Sequence, residues 1–123
     1  MTESKLLSTL GLCARARKIV VGTDMVCESV REQGKNRTLI VIVSKDSSSG
    51  TNKKITDKCR YYKVPKYTIG ADSAELGHAV GKSSAVAVVG VNDLSLSLAV
   101  KKALENESYA PDRETVPDRD QAE

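Results

Sequence analysis

The sequence predicts an α/β protein, a single-domain three-layer α/β/α sandwich with helices on both faces of a small central sheet. Segments with apolar residues at helical spacing alternate along the chain with short runs of β-branched residues. Two of those runs are apolar throughout, which is typical of strands that are covered on both faces. A chain of 123 residues is enough for one hydrophobic core and too short for two independent ones.

The first third of the chain predicts two helices around a short strand. Residues 3–17 have apolar side chains at helical spacing and form the first predicted helix. The β-branched run Ile19–Val21 predicts a strand that ends at Gly22. Thr23 is a candidate cap for the second helix, which we expect to end at Gly34.

The middle of the chain predicts a central strand and a third helix. Residues 38–43 are nearly all apolar, so we expect this strand to lie in the centre of the sheet. Residues 44–52 form a predicted polar loop, and Val64–Pro65 disfavours helix beyond that point. The third helix lies between them and is expected to bury Ile55, Cys59 and Tyr62.

A short strand and a fourth helix follow. Residues 66–69 have the composition of a strand. Asp72 with Glu75 three residues later has the spacing of a capping box, which predicts the start of a helix. Gly81 is expected to end it.

The last predicted strand and helix precede a segment of different composition. Residues 85–91 predict a second buried strand, and Asn92 or Asp93 can cap a fifth helix that continues to Leu104. Beyond it, prolines and charges dominate, with too little apolar surface to offset the entropy of ordering. We therefore expect a folded domain at residues 1–104 and a disordered acidic tail at residues 105–123.

Charge is unevenly distributed along the chain. Residues 105–123 contain seven acidic and two basic residues, a formal charge of −5, and residues 1–104 carry +8. An excess of positive charge on a compact body favours polyanionic partners, because each contact with a phosphate releases counterions. Charge alone is equally consistent with a merely soluble surface.

Groups that could support catalysis or bind metal are scarce. His78 is the single histidine, and its place within the fourth predicted helix favours a surface or packing role. Cys13, Cys27 and Cys59 lie far apart, without the close pairs of a zinc or redox motif, so we expect buried, unpaired thiols. We therefore expect a protein that is not an enzyme and that has no cofactor and no metal site.

Localisation is predicted from what the sequence does not resemble. The polar N-terminal residues are unlike a signal peptide, and the longest apolar runs are much shorter than a membrane span. These features predict a soluble, cytoplasmic protein.

The polar loop before the third helix has three interpretations. Residues 47–51 provide hydroxyls and a glycine, and Lys53 and Lys54 follow at the start of a helix, where backbone amides and the helix dipole favour an anion. The segment lacks the spacing of a P-loop. A plain capped loop is favoured over a contact with nucleic-acid phosphate, and that contact over a nucleotide site.

Basic residues also cluster before the second helix. Arg15, Arg17 and Lys18 immediately precede the short strand that leads to Gly22 and Thr23. Unpaired amides at a helix N-terminus can meet a phosphate, and glycine permits close approach of the backbone.

The order of several short motifs resembles a known family. The motifs are Leu10-Gly11-Leu12-Cys13-Ala14-Arg15-Ala16-Arg17-Lys18, Gly22-Thr23-Asp24, Val64-Pro65 and Leu76-Gly77-His78-Ala79-Val80-Gly81-Lys82. Together with the central and final strands, they resemble the kink-turn RNA-binding ribosomal-protein superfamily and, within it, the short bacterial YlxQ-like branch. The resemblance covers about residues 4–104, one whole domain.

This resemblance implies an α/β/α sandwich that binds structured RNA, ribosomal or containing a kink-turn, without catalysis. It implies two contact regions flanked by Lys18: the loop and helix start after the first strand, and the loop between the fourth helix and the last strand. The first comprises Gly22, Thr23, Asp24, Met25 and Glu28, and the second comprises Gly81, Lys82, Ser83 and Ser84. We expect a cytoplasmic monomer that binds neither DNA nor membranes.

The first region departs from the pattern of well-characterised kink-turn binders. Where they have basic residues before the glycine, this chain has Val20 and Val21, and where they have an Asn-Glu pair and then a lysine, it has Asp24, Met25 and Glu28. Met25 cannot accept a hydrogen bond from guanine as a carboxylate would, and Glu28 repels phosphate where a lysine would attract it. These two residues motivate an alternative, a protein-interaction scaffold of the same fold. A separate alternative is a detached accessory domain like that of some ribose methyltransferases.

Overall fold

The computed structural model describes residues 5–32 and 37–112, and within them five helices alternate with four strands. The helices are α1 (Lys5–Arg15), α2 (Thr23–Val30), α3 (Ser49–Tyr62), α4 (Ser73–Ala79) and α5 (Leu94–Asn106). The strands are β1 (Ile19–Val21), β2 (Ile40–Val43), β3 (Lys66–Thr68) and β4 (Val88–Val91). The predicted α/β class is confirmed.

The four strands form one mixed sheet in the order β1-β4-β2-β3. Strand β4 is antiparallel to both β1 and β2, whereas β3 is parallel to β2. The two strands predicted to be buried, β2 and β4, therefore lie at the centre, and β1 and β3 are the edges.

Alternate side chains of the central strands enter two separate cores. Ile40 and Ile42 pack with α1, α4 and α5 on one face of the sheet. Val41 and Val43 pack with α2 and α3 on the other. Because each face is covered by helices, all four residues of β2 are buried, and the predicted three-layer α/β/α sandwich is confirmed.

The N-caps of two helices, α4 and α2, can be compared with those predicted from the sequence. Asp72 and Glu75 form the predicted capping box, each side chain accepting a hydrogen bond from the other residue's backbone amide at 2.8–2.9 Å. The prediction that Thr23 caps α2 is wrong, because Thr23 is the first helical residue and Gly22 is the N-cap.

The boundary between the polar loop and α3 also differs from the prediction. The helix begins at Ser49, inside the expected loop 44–52, because the Ser48 side chain accepts a hydrogen bond from the amide of Thr51 at 3.1 Å. This bond supports the capped-loop interpretation. At the other end, α3 stops at Tyr62 before Val64–Pro65, as predicted.

Two central strands are shorter than predicted. Strand β2 begins at Ile40, and the buried Thr38 before it donates its hydroxyl to Ser29 Oγ at 2.6 Å. Strand β4 begins at Val88, whereas Ala85 is exposed. Helix α2 ends at Val30, before the expected end at Gly34, and Gly34 itself lies outside the described residues.

Helix α5 continues to Asn106, two residues beyond the expected domain end at residue 104, and three of the residues that follow it contact the body. Glu107 accepts a hydrogen bond from the amide of Leu6 at 3.0 Å, in the first turn of α1. The Tyr109 hydroxyl accepts one from the amide of Gly70 at 2.6 Å, and the ring packs against the core. The disorder expected for the rest of the tail concerns residues 113–123, which lie outside the described ranges.

Candidate nucleic-acid interface

An open cleft of about 430 Å³ lies beside the outer edge of β1. Two of its lining residues, Met25 and Lys82, come from the two predicted contact regions. The fold therefore brings together a helix start and a loop that are more than fifty positions apart in the sequence. The remaining lining residues are Ala14, Arg17, Ile19, Val20, Val21 and Val80.

The lining of the cleft is apolar with two cations. Among the described residues, Arg17 and Lys82 are its charged lining residues, and no carboxylate of those ranges lines it. Apolar walls with positive charge at two points suit a ligand that has both a flat apolar part and negative charge.

The free edge of β1 adds backbone groups to this surface. The carbonyl of Lys18 accepts a hydrogen bond from Asn92 at 3.1 Å, and the amide of Gly22 donates to Val88 at 2.9 Å. Because bonding alternates along an antiparallel pair, the amides and carbonyls of Ile19 and Val21 point away from β4. They stand at the open edge of the sheet.

Helix α2 begins with backbone amides that its own N-cap does not satisfy. Gly22 has φ 105° and ψ 146°, and in the described structure no side chain caps the helix. A positive φ of this size is easy only for glycine, so Gly22 both turns the chain and leaves the first amides of α2 without a side chain over them. Such amides can bind an anion.

The charged residues of α2 are partly neutralised by neighbours. Asp24 Oδ1 lies 2.6 Å from Lys54 Nζ on α3, and both side chains are mostly exposed. This hydrogen bond raises the pKa of Lys54. Glu28 pairs more loosely with Arg31, at 3.7 Å. Lys54 therefore places a cation beside the start of α2, which sequence reasoning missed because the two residues are thirty positions apart.

Met25 is the exposed apolar residue of this helix start. It keeps 61% of its surface accessible while lining the cleft. An exposed thioether on a concave surface is adaptable in shape and cannot accept a strong hydrogen bond.

The second predicted region lies against α4. The amide of Lys82 donates to the carbonyl of Gly77 at 2.9 Å, and Gly81 has φ 82° where α4 ends, as predicted. A Cβ on Gly77 would lie 2.2 Å from the carbonyl oxygen of Ser84, so only glycine lets the loop pack this closely. Ser83 and Ser84 are exposed, and unlike Lys82 they do not line the cleft.

The two basic residues before β1 have different positions. Arg17, in a left-handed conformation with φ 61°, lines the cleft. Lys18 is exposed but is not a lining residue, although it was the predicted one. The sequence predicts a basic cluster before the candidate site. Which of its residues lines the cleft depends on the turn between α1 and β1.

The groups considered for other chemistry are the one histidine and the three cysteines. His78 is exposed near the end of α4, and Cys13, Cys27 and Cys59 are buried free thiols. Among the described residues, no three His, Cys, Asp or Glu side chains are grouped as metal ligands would be. In the same ranges, none of the helices combines the length and the apolarity needed to cross a membrane.

Comparisons with known proteins identify the family to which the sequence is similar. The sequence model described as the ribosomal protein L7Ae/L30e/S12e/Gadd45 family matches residues 4–100. A protein named RNA-binding protein YlxQ from Bacillus subtilis (strain 168) is 48% identical over 93 residues, which is 76% of this chain and 88% of that protein. Another with the same name, from Enterococcus faecium, is 31% identical over 103 residues, 84% of this chain and 94% of that protein.

Two solved structures have a similar fold. A Bacillus halodurans protein of unknown function superposes with a TM-score of 0.75 at 36% identity, covering 84% of this chain and 99% of its own. A Giardia lamblia protein described as a 15.5kD RNA binding protein gives a TM-score of 0.66 at 18% identity, covering 86% of this chain and 90% of its own. At that identity, the second comparison supports the fold alone.

Proposed function

Because the chain belongs to the ribosomal protein L7Ae/L30e/S12e/Gadd45 family, we propose that it is a non-catalytic RNA-binding protein that recognises structured, kink-turn-like RNA in association with the ribosome. The predicted membership of this superfamily and of its YlxQ-like branch is confirmed by the family match and the two relatives. Both relatives are named as RNA-binding proteins, which supports RNA as the partner.

The single observation that carries the proposal is the cleft shared by Met25 and Lys82. Proteins recognise RNA sequence mostly in loops and bulges, where unstacked bases can be placed on apolar side chains. A base held against Val21 and Met25 would leave its flanking phosphates near Arg17 and Lys82. The cleft therefore matches a nucleotide that has left the stack better than it matches a regular duplex.

The start of α2 supports the same ligand. Its uncapped amides after Gly22 favour a phosphate oxygen through hydrogen bonds and the helix dipole. Asp24 alone would oppose this, but Lys54 lies 2.6 Å from its carboxylate and compensates its charge. RNA binding at this junction is thus electrostatically feasible despite the two acidic residues of α2.

The residues at positions 25 and 28 are unsuited to reading the bases of a kink-turn. Met25 offers no acceptor for a guanine edge, and Glu28 keeps an exposed carboxylate beside the proposed path of the RNA. We therefore propose that shape and backbone contacts at Lys18, Gly22, Thr23, Gly81, Lys82, Ser83 and Ser84 contribute more than base reading does. The affinity for a kink-turn should be modest and the salt dependence steep.

Met25 and Glu28 also favour a second candidate function, that of a protein-interaction scaffold. An exposed Met25 in an apolar cleft and an acidic Glu28 also suit a protein partner, with the fold serving as a scaffold. A copurified protein that occupies the cleft in the absence of RNA would support this alternative.

Titration separates the two candidates. The wild-type protein is titrated against a kink-turn RNA and a plain duplex of equal length at two salt concentrations. We expect tighter binding to the kinked RNA and a fall of affinity with salt, and sedimentation with ribosomes tests the proposed association. Equal affinity for both RNAs would contradict the proposed preference for the kink-turn. The absence of detectable RNA binding would favour the protein-interaction scaffold.

Two substitutions at the start of α2, expected to increase the affinity for RNA, test the roles of Met25 and Glu28. Met25→Glu and Glu28→Lys introduce an acceptor and a cation where kink-turn binders have them. Together they should strengthen binding to the kink-turn RNA by about 1–3 kcal/mol, the size of a good base-edge contact. Because both side chains are exposed, thermal stability should barely change. Unchanged affinity would place the contact surface elsewhere.

A further inference from the structure

The last turn of α3 exposes an aromatic ring between basic side chains. Tyr61 keeps 77% of its surface accessible, more than any other exposed large hydrophobic residue in the described ranges. Arg60 and Lys63 on either side are exposed as well. Asp57, one turn before Tyr61 on α3, is the nearest acidic residue along the chain, and it pairs with Lys53 at 3.4 Å.

The ring of Tyr61 is held in place by its neighbour. The Tyr61 and Tyr62 rings meet edge to face, with centroids 4.8 Å apart and planes at 79°. Tyr62 is itself fixed, because it packs against the core between α2, α3 and the sheet. Its carbonyl also accepts a hydrogen bond from Arg37 Nη2 at 2.6 Å. An exposed ring with a fixed neighbour loses less freedom on binding than an unsupported one.

The helix dipole explains why basic residues lie at the end of α3, but it does not explain the exposed ring of Tyr61. Cations in the last turn of a helix interact favourably with its dipole, which accounts for Arg60 and for Lys63 at the C-cap. That effect gives no reason for a large ring to stay in solvent at the same place. An exposed ring with cations close to it in the chain is a combination that proteins use to bind unpaired nucleic acid.

We propose that Arg60, Tyr61 and Lys63 form a second RNA-contact surface, which binds unpaired nucleotides through stacking on Tyr61 and neutralisation of the adjacent phosphates. The proposal rests on RNA being the partner, and it concerns residues that do not line the cleft. Unpaired RNA is the occupant that fits, because a base must present an open face to stack, and a duplex hides it. Stacking tolerates any base, so the surface would add affinity without sequence preference.

The stacking step is tested with a short oligonucleotide as probe. Binding of an oligouridine of about ten nucleotides, within the usual site sizes for single strands, is measured for the wild type, Tyr61→Ala and Tyr61→Phe. Tyr61→Ala should weaken binding by about tenfold, and Tyr61→Phe should retain it because the ring and not the hydroxyl stacks. Leu98→Ala on α5, a residue 56% exposed, is the matched control and should change nothing.

The phosphate contacts are tested by salt dependence. The double variant Arg60→Gln/Lys63→Gln should flatten the slope of log affinity against log salt by about 1.4, since each lost contact with a single strand removes about 0.7. Lys101→Gln/Lys102→Gln, which removes two exposed cations from α5, is the control with equal net charge.

The outcomes separate this proposal from the proposed function when the kink-turn RNA is titrated in parallel. Loss of oligouridine binding by Tyr61→Ala, with unchanged binding to the kink-turn, supports the second surface. Equal oligouridine affinity for Tyr61→Ala and Leu98→Ala, with the kink-turn still bound, overturns it and leaves the proposed function intact. Arg17→Gln/Lys82→Gln could abolish oligouridine binding while Tyr61→Ala leaves it unchanged. That result would assign single strands to the cleft and would also overturn the second surface. Failure of the wild type to bind either RNA would overturn both.

Discussion

The buried ammonium of Lys66 is paired with the carboxylate of Asp112, forty-six positions later in the chain. Lys66 is 1% exposed, and Asn52 Oδ1 accepts a second hydrogen bond from its Nζ at 3.0 Å. Asp112 also accepts one from the Thr68 hydroxyl at 2.9 Å and donates its amide to the Lys66 carbonyl at 2.7 Å. Residues after α5 are therefore attached to the edge strand β3.

Removing the carboxylate should destabilise the fold. Asp112→Ala leaves the buried Lys66 ammonium without this carboxylate, and removing one partner of a buried ion pair costs about 3–5 kcal/mol. Urea unfolding measures the loss. The control is Asp57→Ala, which breaks the exposed Lys53–Asp57 pair and should change the free energy of unfolding by less than about 0.5 kcal/mol. Equal effects of the two substitutions would show that Asp112 contributes no more than a surface pair.

Two truncations locate the end of the folded domain. A chain that ends after Asp112 keeps the contacts of Glu107, Tyr109 and Asp112, and its thermal stability should match that of the full chain. A chain that ends after Leu104 loses all three. It should melt several degrees lower, since each kcal/mol corresponds to about 4–8 °C for a domain of this size. Identical melting temperatures for the two truncated chains would support a domain end at residue 104, as expected from the sequence.

The three cysteines should be unreactive in the native protein. Burial raises the pKa of Cys13 to about 11, that of Cys59 to about 12, and that of Cys27 in the same direction. The thiolate is the reactive form, so at pH 8 a thiol reagent should modify the folded protein slowly. Unfolding without reductant should release three thiols that react at once. Rapid modification of the native protein would show that a cysteine is accessible.

Asp46 should make stability depend on pH. Hydrogen bonds from the Ser44 hydroxyl and from Ser73 lower the pKa of its carboxyl group. Because the folded pKa is below the unfolded one, the stabilisation is present above pH of about 4 and is lost as the pH falls through the folded value.

The variant Asp46→Ala isolates this contribution. It should be less stable than the wild type at pH 7, and the difference should shrink at a strongly acidic pH, below the folded pKa of Asp46, where the wild-type carboxylate is protonated. Urea unfolding at the two pH values gives the comparison. A difference that is constant with pH would mean that the side chain acts without its charge.

Features encoded in adjacent residues could be predicted from the sequence. The capping box of Asp72 and Glu75 needs residues only three positions apart, and the buried strand β2 is visible as an apolar run. Pairs between distant residues could not be predicted, because nothing local distinguishes Asp112 from the other acids of the C-terminal segment or Lys54 from its basic neighbours. Of the two contact regions expected from the sequence, Met25 and Lys82 line the cleft. That Arg17 lines it depends on a turn whose geometry the sequence does not show.

The measurement that tests the central claim most directly is the effect of the two cleft cations on RNA binding. Arg17→Gln/Lys82→Gln is titrated against a kink-turn RNA beside Lys101→Gln/Lys102→Gln, which has the same net charge and lies on α5. If the cleft binds the RNA, the first variant should weaken binding by at least tenfold and flatten the salt dependence, and the second should bind nearly as the wild type does. Equal affinities for the two variants would contradict the assignment of the RNA interface to the cleft beside β1.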